Sequence, residues 1–208
     1  MFEIKSPKRP KIQKMYKRAM KELCDFFELD WTRNTPKLFL VQDEETIQEL
    51  WNGEAPPTMS GWTDKLDVYV IDRDKFKKAD GTKYTKKEHQ EIIRHELVHS
   101  FTGAYTQIKG QVLPDWLWEG LAMYLSGEIN DKEPPKEFKN FLNHYNQDMD
   151  SLEVYEEAGF VIKHLIENYE KDKFLKLLKE LKNIKSEDEF NKAFKDIYGF
   201  ELNYENFN

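Results

Sequence analysis

Two spacings of apolar residues run along the chain, one of three to four residues and one of two, and the switches between them mark out its elements. Ile12, Met15, Ala19, Leu23 and Phe26-Phe27 recur at the helical spacing, and Pro10 suits a first turn, so a helix is expected over 11–29. The KLFLVQ stretch, 37–42, follows Pro36 and reads as a short strand. Asp43 then has the character of an N-cap for a helix through Ile47, Leu50 and Trp51. Residues 52–63 (NGEAPPTMSGWT) are rich in glycine and proline and are expected to be loop, whereas 67–71 (DVYVI) alternates β-branched and aromatic residues as a strand does.

Past Asp80-Gly81 the helical period takes over. Thr85 and Glu88 have the spacing of a capping box, which opens a helix carrying His95 and His99, with Gly103 as its expected stop. Pro114 and Gly127 bracket a second helix through Glu119. Helical patterns follow at 136–145, 153–169, 173–182 and 187–198, the last with Ser186 and Glu189 as a capping box and Gly199 as its stop. The fold class is therefore α+β, a small early sheet followed by a mostly helical remainder.

Composition narrows this outline. The 208 residues fit one domain, with an N-terminal helix (1–30), a sheet with the two motif helices (36–130) and a helical part (131–208). With 34% charged, 39% hydrophobic and 14% aromatic residues, the chain has the balance of a water-soluble packed protein. A net charge of −7 argues against a general nucleic-acid partner, and the locally basic run from Lys5 to Arg18 reads as a solvated arm entering a helix. Cys24 is the single cysteine, so no intramolecular disulfide can form. No apolar run has the length of a membrane span and MFEIKSPKRPK has no signal-peptide core, so no membrane partner is expected and the default location is cytoplasmic.

The chemistry concentrates at His95-Glu96-Leu97-Val98-His99, an H-E-x-x-H sequence. Residues four apart on a helix are rotated by about 40°, so the two imidazoles project from one face, one turn apart. That arrangement suits one face of a zinc ion with bonds of roughly 2.0–2.1 Å. Glu96 lies about 100° around the helix from His95, where it can reach a water at the metal without taking a coordination position. A third protein ligand is still needed, and Glu119, in the segment Pro114-Asp115-Trp116-Leu117-Trp118-Glu119-Gly120-Leu121-Ala122, is the best candidate. His89 stands about 120° from His95 around the helix and is poorly placed for the same ion; His144 and His164 read as packed or surface histidines. Asp115 suits either a histidine-orienting acceptor or the positive end of its own helix.

His95-Glu96-x-x-His99, nineteen intervening residues and Glu119 together resemble the gluzincin branch of zinc peptidases, the clan of thermolysin and the aminopeptidase N-like enzymes. Trp116-Leu117-Trp118-Glu119-Gly120-Leu121-Ala122 is similar to the W-L-x-E-G-x-A signature of the aminopeptidase N-like side. With Gly61-Trp62 and Val68-Tyr69-Val70-Ile71 upstream, the resemblance is to small peptidase MA-like domains over roughly residues 60–200. It implies a zincin-like metallopeptidase fold, with His95, His99 and Glu119 as zinc ligands. Glu96 would be the general base and later the proton donor to the leaving amine. Tyr155, in Tyr155-Glu156-Glu157-Ala158-Gly159, imperfectly resembles a Y-x-K-G-like segment and would be the oxyanion donor, with Tyr124 and Tyr145 as fallbacks. Glu157 stands where lysine is usual, and the glycine is displaced by one. No G-x-M-E-N segment precedes His95, which disfavours aminopeptidase activity and favours cleavage within a peptide.

The expected function is a zinc-dependent metallopeptidase acting on a peptide or protein substrate. The rivals are a zinc hydrolase of narrow, non-general substrate and a zinc-stabilised binding or regulatory module without turnover. The presence of Glu96, which coordination does not require, weighs against the binding module. Clan substrates lie as an added strand on a sheet edge, and 67–71 is the candidate edge, with an interior position for it the alternative. Oligomeric state stays open.

Overall fold

The computed structural model describes residues 9–51, 59–108, 114–143 and 152–208. It divides into two compact units, Met1–Ser100 and Phe101–Asn208, and the division falls inside one continuous helix.

In the first unit, α1 (Pro10–Phe27) buries Ala19, Met20, Leu23 and Phe27 along one stripe. It stops where Glu28 turns left-handed (φ 56°) and the Leu29 N–H bonds back to the Cys24 carbonyl at 3.0 Å. β1 (Leu38–Val41) leads to α2 (Glu44–Trp51), whose Thr46 N–H donates to Asp43 Oδ1 at 2.8 Å, the N-cap contact expected of Asp43. β2 (Gly61–Asp64) and β3 (Asp67–Ile71) form an antiparallel hairpin, with Lys65 left-handed (φ 56°) in its two-residue turn. Part of the stretch expected to be loop is thus strand: residues 61–63 are ladder-bonded to β3, and 52–58 lie outside the described residues.

The strand order is β1-β3-β2, with β1 parallel and β2 antiparallel to β3. β3 is therefore the central strand, and the expectation that it forms an edge is corrected, since both its ladders are occupied. The edges are β1 and β2. Alternation sorts the sheet into two faces. One carries Phe39, Tyr69 and Trp62 side by side, with ring centroids 4.9 Å apart at each step, beside Val41 and Ile71 and packed with Ile47 of α2. The opposite face carries Leu38, Leu40, Val68 and Val70, the two valines fully buried, and on the β2 edge Gly61 and Thr63.

α3 (Lys86–Thr106) starts at the expected capping box: Glu88 N–H donates to Thr85 Oγ1 at 3.1 Å, and Thr85 N–H to Glu88 Oε2 at 2.7 Å. His89, fully buried, takes the other end of β3, its Nε2 2.9 Å from the Ile71 carbonyl. A carbonyl only accepts, so Nε2 carries the proton, and burial lowers the histidine's pKa, which keeps the ring neutral. Gly103 does not end α3, which runs on to Thr106; a Cβ on Gly103 would meet nothing nearer than Trp118 Cη2 at 3.9 Å.

In the second unit, α4 (Asp115–Ser126) begins after Pro114 and ends at Gly127, left-handed at φ 91°. α5 (Leu152–Tyr169) packs against it unusually closely. A Cβ on Gly120 of α4 would fall 2.6 Å from the Ala158 carbonyl oxygen, and one on Gly159 of α5 would fall 3.0 Å from Met123 Cβ. Residues 136–140 are not helical; only a 3-10 turn forms, at Phe141–Asn143, and Tyr145 lies outside the described residues. The reason is Glu157. Its buried carboxylate accepts from the backbone N–H groups of Lys139 (3.2 Å), Asn140 (2.7 Å) and Phe141 (3.0 Å), and from Asn140 Nδ2 (3.0 Å). These backbone donors turn inward to one acceptor instead of along a helix axis. α6 (Lys171–Glu180) and α7 (Glu187–Tyr198) follow, α7 capped by Ser186 Oγ on Glu189 N–H and stopped at Gly199. Glu189 returns its carboxylate to the Lys185 N–H, one residue before the cap.

Candidate metal centre and its surroundings

The middle of α3 carries the chemistry. Ile93, Leu97 and Phe101 are fully buried, which fixes the roll of the helix and so the direction of its neighbours His95, Glu96 and His99. The two imidazoles stand edge to face, centroids 4.8 Å apart with planes at 82°. On α4, Trp116 is fully buried against Phe141 and Phe190, an aromatic anchor three residues before Glu119. Gly120 keeps the same helix tight on α5. Glu119 thus sits between two residues whose positions packing determines.

The ligand atoms of His95, His99 and Glu119 all lie within 4.8 Å of one another, His99 buried and the other two half-buried. Two imidazole nitrogens and a carboxylate oxygen are an ordinary donor set for a divalent first-row metal. Two ligands of a tetrahedral ion stand about 3.4 Å apart at zinc–ligand distances, so the set admits such an ion with small side-chain rotations.

Glu96 is 7% exposed and is held in part from the sheet. Thr63 Oγ1 lies 3.1 Å from Glu96 Oε2 and 2.9 Å from the Glu96 backbone carbonyl. Two residues earlier on the same face of β2, Gly61 meets the same side chain: a Cβ there would be 2.9 Å from Glu96 Cγ and 3.1 Å from Oε1. One turn along α3, Ser100 Oγ donates to the Leu66 carbonyl in the β2–β3 turn at 3.2 Å. The hairpin is strapped to the helix at both Glu96 and Ser100. Arg94 also pairs with Glu22 of α1, which ties the same turn of α3 to the first helix.

Tyr155 and Tyr124 both pack, half-buried, against the apolar cluster of Met123, Ile129 and Phe160 in the second unit. Burial raises the Tyr124 pKa, so its hydroxyl keeps its proton. Asp115 is exposed in the first turn of α4, where its charge complements the helix N-terminus. His164 is half-buried beside Tyr169 and Phe207 and accepts from Asn168 Nδ2 at 3.0 Å; His144 lies outside the described residues. Thr63 escaped the sequence reading, and Gly61 entered it only within the family resemblance, without a place beside Glu96. They lie more than thirty residues upstream of Glu96 in a stretch that reads as loop, and no motif spacing points to them.

The model of the Peptidase MA superfamily matches residues 81–207, from just ahead of the Thr85 cap through both motif helices to the last turn. The chain belongs to that family. No curated protein and no solved structure matches it. No helix among the described residues is long and apolar enough to cross a membrane.

Proposed function

We propose that the protein is a zinc metallopeptidase of gluzincin type, on the aminopeptidase N-like side of the family, and that it cleaves within peptides. The observation that carries this reading is the convergence of His95, His99 and Glu119 beside a buried carboxylate, Glu96, that has its own hydrogen-bonded support. A purely structural zinc site tends to close its fourth position with a protein ligand and has no use for a supported carboxylate next to it.

His95, His99 and Glu119 would hold the ion, which when bound supplies Lewis-acid polarisation of the scissile carbonyl and acidifies water. Glu96 takes one proton from the attacking water as the new C–O bond forms at the carbonyl carbon. It then delivers that proton to the amide nitrogen as the C–N bond breaks; the second water proton, left on the new carboxyl group, passes to the amine, so that a carboxylate and an ammonium leave and Glu96 is regenerated. Tyr155 is the proposed donor to the oxyanion, a role a phenol O–H can fill. Because β3 is flanked on both sides, an added substrate strand would pair with an edge, and β2 is the edge whose residues touch Glu96. The absence of a G-x-M-E-N segment leaves no recognised grip for a free α-amine and supports internal cleavage.

The test is a mixed peptide library incubated with zinc-loaded protein, with and without chelator, beside Glu96→Gln. Internal cleavage by the parent, its loss on chelation, and a variant that keeps its zinc while losing at least about 100-fold in rate are expected. A parent that binds zinc stoichiometrically and cleaves nothing would overturn the proposal.

A further inference from the structure

We propose that Thr63 is a positioning residue for Glu96, holding the carboxylate in both of its protonation states, with Gly61 leaving the space in which it is held. The inference rests on the reading of Glu96 as general base.

A hydroxyl has one proton and can also accept. Thr63 Oγ1 faces two acceptors on one residue, the Glu96 backbone carbonyl at 2.9 Å and Oε2 at 3.1 Å. While Glu96 is ionised, the single Thr63 proton is shared between them as a three-centre bond. When Glu96 has taken a proton, its Oε2–H can donate to Thr63 Oγ1 while Thr63 turns its own proton wholly onto the carbonyl. The carboxyl group therefore has a partner before and after proton transfer and need not swing. A carboxylate has about four acceptor sites, and the Thr63 contact fixes the position of one of its two oxygens.

Gly61 contributes from the other side. Any Cβ at this position would crowd Glu96 Cγ at 2.9 Å and also the Tyr69 carbonyl oxygen at 3.0 Å, which is fixed in the sheet. The side chain would have to give way, and Glu96 would be pushed from the position that Thr63 sets. β2 thus meets Glu96 with a hydroxyl at one residue and a gap at the next residue on the same face.

Thr63→Val removes the hydroxyl at nearly constant shape, Thr63→Ser retains it, and Thr63→Ala removes it with less bulk should the valine fail to fold. Each is read for zinc affinity, for kcat and KM on a cleaved peptide, and by calorimetry for affinity of the zinc-loaded protein toward a simple peptide hydroxamate, whose acidic proton a general base receives. Thr63→Val is expected to keep zinc affinity and KM within about threefold while kcat and hydroxamate affinity fall about 10–100-fold, the range for losing a group that orients an active-site residue. Thr63→Ser should recover most of both. In a Glu96→Gln background, Thr63→Val should change neither further, because the two residues act as one unit. Equal losses with and without Glu96, a loss confined to KM, or a serine variant as poor as valine would overturn the proposal. The hydroxamate cycle needs no turnover, so a parent that binds zinc and hydroxamate but cleaves nothing defeats the peptidase reading while still deciding whether Thr63 positions Glu96.

Discussion

The two helices that carry the candidate ligands are set in place by different means. α3, besides its buried stripe of Ile93, Leu97 and Phe101, is tethered by polar contacts: Thr63 to Glu96, Ser100 to the Leu66 carbonyl, His89 to the Ile71 carbonyl, and the reciprocal box of Thr85 and Glu88. α4 is set by shape, through Gly120 against the Ala158 carbonyl, Gly159 against Met123, and Trp116 among Phe141 and Phe190. On the proposed roles of Glu96 and Glu119, the difference follows the task of each. A residue that must gain and lose a proton needs partners that can both donate and accept, and a packed apolar wall offers neither. A carboxylate that only has to stand at a fixed point can be set by rigid packing of its helix.

Substitutions at the glycines should separate the two helices most clearly. Gly120→Leu would drive a side chain into the α5 backbone, which cannot rotate aside, and is expected to cost about 3 kcal/mol or more, a fall in Tm of roughly 6–12 °C for a chain of this size. Gly103→Ala, inside α3 with its nearest neighbour at 3.9 Å, is expected to go the other way. It should stabilise by about 0.5–1 kcal/mol, because it removes glycine's backbone-entropy cost in a helix. Thermal unfolding of both variants checks the pair, and a tolerated Gly120→Leu would remove the shape argument for α4.

Glu157 is a polar device inside the shape-set region, and it tests whether the division is absolute. Glu157→Ala leaves three backbone N–H groups around residue 140 without their acceptor and should cost about 2–3 kcal/mol in chemical denaturation. Its effect on zinc affinity should be small, since the carboxylate shapes a loop. The smallest effect is at the start of α3. The Lys78 ammonium and the Thr85 groups hold the Glu88 carboxyl down at about 2. A folded pKa below the unfolded one stabilises above the unfolded value, near 4.3, and that stability is lost as pH falls through about 2. Glu88→Gln should therefore be less stable than the parent at pH 7, by under about 1 kcal/mol because the pair is partly solvated, and the gap in Tm should close towards pH 2. A gap that persists at pH 2 would assign the effect to lost shape instead of lost charge.

Local signals carried much of this into the sequence. The Thr85 and Glu88 box, the Ser186 cap and the stops at Gly127 and Gly199 each depend on residues within one turn, so their spacing alone shows them. His95, Glu96 and His99 were legible for the same reason, as was Glu119 through its own helix signals. What stayed hidden depends on distant partners. β2 is four residues long and begins with glycine, so no alternating pattern announces it, and the central place of β3 follows only once β2 pairs with it. Residues 136–140 have a helical pattern, but Glu157, seventeen residues on, captures their backbone donors. Gly103 looked like a stop because glycine often is one, yet tertiary context carries the helix through it.

In the proposed site, His95, His99 and Glu119 hold one metal ion while Glu96 stands beside it without ligating it. This arrangement is tested most directly by zinc affinity, measured by competition with a chromophoric chelator, across the parent, His95→Ala, His99→Ala, Glu119→Gln and Glu96→Gln. One tight equivalent is expected in the parent, with a loss of more than about 100-fold in each of the first three variants and a value within a few-fold of the parent for Glu96→Gln. Undiminished binding by Glu119→Gln, or release of the metal by Glu96→Gln, would contradict it.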